Sequence, residues 1–177
     1  MRRRSFVSRI FGGLAGIGSL SAQGLKPGDI PKRKFGKTGV EVTVIGQAGG
    51  RLSMITREEA RAVVRRAYEL GINFFDNARS YWDGHSEEVF GEVLAPVRKE
   101  VFLTTKTTAR TRKGAEADLE ASLRALRTDY VDLWQIHGIA EMAEIEQVLA
   151  PGGAMEAFEA AKKAGKCRFI GVTAHHD

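Results

Sequence analysis

Apolar residues along this chain come in short runs that stop abruptly, separated by stretches where they recur at every third or fourth position. Ile72, Phe74 and Phe75 follow Gly71 and stop at Asp76. Val101-Phe102-Leu103-Thr104-Thr105 stops at Lys106, and Val131-Asp132-Leu133-Trp134-Gln135-Ile136 stops at His137. Runs of this length, bounded by glycine or polar residues, predict buried strands. Val42-Thr43-Val44-Ile45 predicts a first strand, closed by the glycine-rich Gly46-Gln47-Ala48-Gly49-Gly50, which reads as a tight turn rather than a phosphate loop. Arg168-Phe169-Ile170-Gly171-Val172-Thr173 predicts a fifth.

Helices fill the gaps. Thr56-Arg57-Glu58-Glu59 has capping-box spacing, and Ala60, Val63, Val64, Ala67 and Tyr68 follow at helical period until Gly71. Ser86 reads as the cap of the next helix, with Glu87 and Glu88 in its first turn. Adjacent helical positions diverge, so these two acids read as dipole partners rather than a catalytic pair. Further helices are predicted over 115–126, 141–149 and 154–164, the last turning Met155 and Phe158 inward. The strands begin near Val42, Ile72, Val101, Val131 and Cys167, at separations of 30, 29, 30 and 36 residues. Strand and helix alternating at that period predicts right-handed βαβ units on a parallel sheet. So regular a repeat favours the α/β class of (β/α)8 TIM barrel over a doubly wound sheet, here cut short after about five βα units.

At 177 residues, 43% apolar and 28% charged, the composition suits one globular domain. Residues 1–22 stand apart, because Arg2, Arg3, Arg4 and Arg9 flank an apolar stretch that ends in Ser19, Ser21 and Ala22. That order predicts an export signal, and Arg3-Arg4-Ser5-Phe6-Val7 is similar to the twin-arginine type, which sends folded proteins to the periplasm. Without the signal the chain is expected in the cytoplasm. Four of the 27 basic residues and none of the 22 acidic ones fall in the signal, leaving 23 against 22. Net charge drops from +5 to +1, which argues against a nucleic-acid surface. A lone cysteine, Cys167, excludes an internal disulfide and a thiolate zinc cluster. Residues 23–33 read as a linker; the domain is then 34–177, opening with a hairpin around Phe35-Gly36-Lys37-Thr38-Gly39-Val40. The basic Arg110-Thr111-Arg112-Lys113 reads as a solvated loop.

In a barrel of this kind chemistry gathers at the C-terminal strand ends, where Asp76, Lys106 and His137 are expected, with Tyr81 in the loop after the first of them. Neighbouring parallel strands lie about 4.8 Å apart, so the four side chains can meet. A phenol is a weak acid, with an ordinary pKa of about 10, and an adjacent ammonium favours its anion. With a carboxylate holding the ammonium and an imidazole bonding the substrate oxygen, the set suits proton donation to a carbonyl during reduction. None of these groups supplies hydride, so a cofactor must, and nicotinamide fits.

Asp76-Asn77-Ala78-Arg79-Ser80-Tyr81, Thr104-Thr105-Lys106 and Leu133-Trp134-Gln135-Ile136-His137 resemble the Asp, Tyr, Lys and His tetrad of the aldo/keto reductase superfamily, in the same order on corresponding strands. Phe35-Gly36-Lys37-Thr38-Gly39 resembles the hairpin that plugs that family's barrel, and Phe169-Ile170-Gly171-Val172-Thr173 its fifth strand. The resemblance covers residues 34–177 and implies an NADPH-dependent oxidoreductase that reduces a small-molecule aldehyde or ketone. It makes Tyr81 the proton donor, Lys106 and Asp76 its tuning pair and His137 the group that orients the carbonyl. Asp76 and Thr173 are the implied cofactor contacts, Thr173-Ala174 standing where the family commonly has Ser-Asn. With five of eight strands, the chain is expected to be the front of a longer protein or a truncated form that folds poorly and turns over little.

Two rivals stay open. A metal-dependent hydrolase on the same barrel would use His137, His175, His176 and Asp177, leaving Lys106 and Tyr81 idle. A non-catalytic nicotinamide-binding barrel, or an inactive remnant, would keep the fold without turnover.

Overall fold

The computed structural model of the protein describes residues 26 and 28–174. The predicted export signal and the terminal His175-His176-Asp177 lie outside the described residues. An antiparallel hairpin comes first, β1 (Lys32–Lys34) against β2 (Glu41–Thr43), with Lys32 opposite Thr43. Then follow β3 (Gln47–Ala48), α1 (Arg57–Glu69), β4 (Phe74–Asp76), α2 (His85–Leu94), β5 (Phe102–Thr107), α3 (Arg112–Leu126), β6 (Val131–Ile139), α4 (Met142–Leu149), α5 (Ala154–Lys163) and β7 (Cys167–Ala174). Strands β3 to β7 pair in chain order, all parallel, in one five-stranded sheet. This is the (β/α) barrel architecture over its first five strands, and among the described residues β3 and β7 are its edges.

Local chemistry sets the elements. The capping box forms: Thr56 Oγ1 accepts from the Glu59 N–H at 3.3 Å, and the Glu59 carboxylate accepts from the Thr56 N–H at 2.9 Å. Ala60, Val64 and Ala67 then bury one face of α1, and Gly71, with φ of 92°, lets the chain turn into β4. Outward-facing Phe75, Leu103, Trp134 and Ile136 pack under the helices, where Trp134 stacks on Phe158 of α5 with ring centroids 3.7 Å apart. No helix among the described residues is long and apolar enough to cross a membrane.

Inward-facing residues at the strand starts make a floor. Phe102 and Leu133 are buried with Val42 of the hairpin, and Phe35, Val40, Phe74 and Phe169 close around them. Phe74 stacks on Phe102 with centroids 5.6 Å apart and Phe169 on Phe102 at 6.3 Å. Asn73 pins this plug to the sheet, since its Oδ1 accepts from the Thr43 N–H at 2.7 Å and its Nδ2 donates to the Glu41 carbonyl at 3.0 Å.

Four expectations need correction. Val42-Thr43-Val44-Ile45 is not the first barrel strand: Val42 and Thr43 belong to the hairpin, and Val44 and Ile45 are 52% and 55% exposed. The barrel begins instead inside the glycine loop, at Gln47–Ala48, opposite Phe75 and Asp76. Small residues are required there, because a Cβ on Gly46 would lie 2.6 Å from the Phe74 ring and one on Gly49 would lie 2.4 Å from Ser86 Oγ. Lys34 and its two predecessors form β1, so the predicted linker ends in a strand. Ser86 is not a cap, for α2 starts one residue earlier behind Gly84, and the buried Ser86 hydroxyl donates to the Gly49 carbonyl at 3.1 Å. Strands β5 and β6 also run one and two residues past Lys106 and His137.

Candidate active site

Directly above the aromatic floor, the strand register sets Asp76 beside Thr104. Thr104 Oγ1 donates to Asp76 Oδ1 at 2.7 Å, which fixes the carboxylate plane. Two residues further along β5, on the same inward face, the Lys106 ammonium donates to Asp76 Oδ2 and to the Asn77 carbonyl, each at 2.7 Å. Two of its three N–H groups are thereby used. The Lys106 side chain is 5% exposed and that of Asp76 27%, so the pair is sheltered but open to the barrel interior. At such depth a bonded ion pair keeps its geometry, because an unpaired ammonium would lose its hydration without replacement.

The loop after β4 is stitched to β5 by backbone bonds, Asn77 N–H to the Thr104 carbonyl at 3.1 Å and Arg79 N–H to the Lys106 carbonyl at 2.9 Å. It leads into a 3₁₀ turn, Tyr81–Gly84, that opens with Tyr81. The half-buried Tyr81 ring lies over Lys106, with Nζ 5.0 Å from its centroid. Its other neighbour is Gly50, where a Cβ would sit 3.4 Å from Tyr81 Cζ. His137 faces Tyr81 edge to face, with ring centroids 5.6 Å apart and planes at 82°. Ser80 Oγ lies 3.4 Å from His137 Nδ1.

His137 sits where β6 departs from regular pairing, with a register shift between Ile136 and Ile139 and Gly138 at φ of 64°. Two groups hold that bulge. The Arg110 Nη2 donates to the His137 carbonyl at 2.9 Å and the Gly138 carbonyl at 3.2 Å, while its guanidinium pairs with Glu144. From the other side Thr173 Oγ1 accepts from the Gly138 N–H at 2.9 Å. The side chain of Arg110 is only 12% exposed, so the expected solvated basic loop is instead part of the site's wall. Arg112, likewise, begins α3 and pairs with Glu116 and Glu156.

The four residues Asp76, Tyr81, Lys106 and His137, drawn from three consecutive βα segments, therefore share one end of the sheet. Thr173 stands one strand away, beside the His137 bulge. Ser80 and Arg110 were missed by pattern reading, because a hydroxyl in a loop and an arginine in a basic stretch carry no local mark of their partners. Among the described residues no group of three or more His, Cys, Asp and Glu side chains is placed to hold a metal ion, though the hydrolase rival also needs residues 175–177, outside them. Chemically the arrangement offers a buried positive charge under a phenol, with an imidazole perpendicular to the phenol ring. Gly171 leaves the adjoining β7 wall flat, a Cβ there meeting Gln135 Cγ and Leu133 Cδ1 at 3.3 Å.

A family model described as the aldo/keto reductase family matches residues 45–176. An oxidoreductase of Bacillus subtilis is 32% identical over 155 residues, covering 80% of this chain and 48% of that protein. An aldo-keto reductase of Bacillus halodurans, solved in its holo form, superposes with a TM-score of 0.71 at 28% identity, covering 82% of this chain and 50% of that one. An aldo/keto reductase of Klebsiella pneumoniae, solved with NADP and acetate, gives a TM-score of 0.65 at 29% identity, covering 76% and 46%. The chain thus spans about half the length of the curated relatives it matches.

Proposed function

The chain belongs to the aldo/keto reductase family, and from that premise we propose that it carries the proton-transfer half of an NADPH-dependent reduction of a small aldehyde or ketone. Bound NADPH supplies hydride, two electrons and a hydrogen nucleus, to the carbonyl carbon. Residues of this chain do the rest. Tyr81 gives its phenolic proton to the carbonyl oxygen as the new O–H bond forms. Lys106, held by Asp76 and the Asn77 carbonyl, puts positive charge beneath the phenol where negative charge develops. His137 orients the carbonyl oxygen toward Tyr81 by hydrogen bonding. The residues present fit a nicotinamide: Asp76 is open to the barrel interior, Thr173 brings a hydroxyl to the adjoining wall, and Gly171 leaves that wall flat. NADP in the Klebsiella pneumoniae relative supports the same cofactor.

The observation that carries the reading is the Asp76–Lys106 ion pair at 2.7 Å, with the Lys106 ammonium under the Tyr81 ring and His137 packed edge to face with that ring. Tyr81→Phe keeps the ring and removes the proton. We expect NADPH binding, followed by quenching of tryptophan emission, to persist while reduction of a test aldehyde falls by about 10²- to 10⁴-fold, the usual worth of a general acid. Undiminished reduction in the variant refutes Tyr81 as donor. Cofactor binding with no turnover in the unaltered protein favours the non-catalytic barrel.

Export is part of the proposal. Arg3-Arg4-Ser5-Phe6-Val7 and the apolar stretch after it support passage by the twin-arginine route with the cofactor aboard. Periplasmic fractionation tests this: protein confined to the cytoplasm, and unaffected by Arg3→Lys with Arg4→Lys, overturns it.

A further inference from the structure

Two residues before Tyr81, Arg79 turns its side chain to the opposite side of the sheet from the proposed chemistry. Its Nη1 donates to Glu87 Oε2 at 2.8 Å, and the Glu87 side chain, in the first turn of α2, is completely buried. Glu87 Oε1 in turn accepts from Thr105 Oγ1 at 2.5 Å. Thr105 and Lys106 are neighbours on β5 with side chains on opposite faces, and the Arg79 N–H bonds the Lys106 carbonyl just beyond them. The same strand segment therefore holds the Tyr81 loop from both sides.

Between Arg79 and Glu87 the backbone does something costly. Trp82, Asp83 and Gly84 have φ of 52°, 51° and 89°, three left-handed residues in a row of which only the last is glycine. Such conformations persist in non-glycine residues only when their surroundings impose them. Here the imposing object is visible: a Cβ on Gly84 would fall 2.2 Å from Arg79 Nη1 and 2.6 Å from Arg79 Cζ, so the turn closes directly on the guanidinium. Tyr81 is the residue from which this turn departs.

We propose that the Arg79–Glu87 pair, its carboxylate fully buried and its guanidinium 30% exposed, is a template for the left-handed turn and, through it, sets the pose of Tyr81 over Lys106. Both are positioning residues, since neither faces the barrel interior. The proposal rests on Tyr81 being the proton donor. A pair that served stability alone would be replaceable by apolar side chains of similar length, which buried ion pairs commonly tolerate. A template would not be, because a flexible thioether offers no planar surface for the turn.

The test is the double variant Arg79→Met with Glu87→Met in the purified protein, read by thermal melting, steady-state kinetics and acrylamide quenching. Trp134 is wholly buried, so quenching reports on half-buried Trp82 in the turn itself. We expect a melting temperature close to that of the unaltered protein, a kcat lower by about 100-fold, the scale of an ångström-level misplacement, an unchanged KM, and a steeper quenching slope. A folded double variant with kcat and quenching unchanged overturns the proposal. Should the double variant fail to fold, Arg79→Lys keeps the ion pair but removes the planar fork, and the same readouts decide in the same way. If the unaltered protein reduces no carbonyl, the reductase reading fails by itself; quenching still decides the template, a steeper slope upholding it and an unchanged one refuting it.

Discussion

Adding one methyl group to Gly91 tests how closely α2 and α3 are packed. A Cβ at that position would lie 2.2 Å from the Ala125 carbonyl oxygen, 2.8 Å from Leu126 C and 2.9 Å from Leu126 Cα. All three are backbone atoms of the last turn of α3, whose Leu126 is 1% exposed, so no flexible side chain can swing aside. Relieving the contact requires the helices to part by about 1 Å over a surface packed to crystal-like density. Overpacking of this kind costs about 1–3 kcal/mol, and the backbone partner places it at the upper end. Alanine in place of glycine inside a helix returns about 1 kcal/mol, leaving Gly91→Ala about 2 kcal/mol less stable. For a domain of this size that lowers the melting temperature by about 4–8 °C. Urea unfolding should show a lower midpoint with an unchanged slope. A variant as stable as the parent, or more stable by the helix-propensity gain, refutes the claim that the two backbones touch here. Since Glu87 lies one turn before Gly91 on α2, the same substitution should also steepen Trp82 quenching.

Two more expectations follow from other parts of the fold. Asp132 is 1% exposed and accepts from Arg98 at 2.8 Å, Arg168 at 2.6 Å and the Leu103 N–H at 2.9 Å. Asp132→Ala strands the buried Arg98 cation and should cost about 3–5 kcal/mol by urea unfolding; a loss under about 1 kcal/mol, the range of a surface pair, contradicts that assignment. Cys167 is 2% exposed, and burial pushes its thiol up from 9.0 to about 11. The folded state holds this proton more tightly than the unfolded one, so its contribution is fully present below about pH 9 and is lost as pH rises toward 11. The loss amounts to about 2–3 kcal/mol. Cys167→Ala should flatten stability over that window relative to the parent, and the native thiol should react with a disulfide reagent only on unfolding. An equally steep decline in the variant, or rapid native labelling, counts against the buried thiol.

Where local chemistry determined local structure, the sequence could be read directly. Thr56 and Glu59 form their reciprocal cap because both partners lie within one helical turn. Asp76, Lys106 and His137 were legible because parallel strands of similar length carry the residue at each apolar run's end to one rim. What escaped depended on partners far away in the chain or across a turn. Gly46 and Gly49 look like a loop until Phe74 and Ser86 are brought against them, and only then do they read as the flanks of a strand. Glu87 looks like a helix-capping acid because nothing nearby in sequence marks Thr105, or an arginine reached through three left-handed residues. Val42 follows strand periodicity equally well in a plug hairpin and in a barrel wall; the pinning bonds from Asn73 decide between them.

The aromatic floor divides labour along the barrel axis. Phe35, Phe74, Phe102 and Phe169 close one end of the sheet, and Tyr81 and His137 stand at the other. Substitutions in the aromatic floor are therefore felt as thermal fragility, whereas substitutions at the far rim leave that packing intact. Each pole thus answers to a different demand, packing at one and the proposed proton transfer at the other.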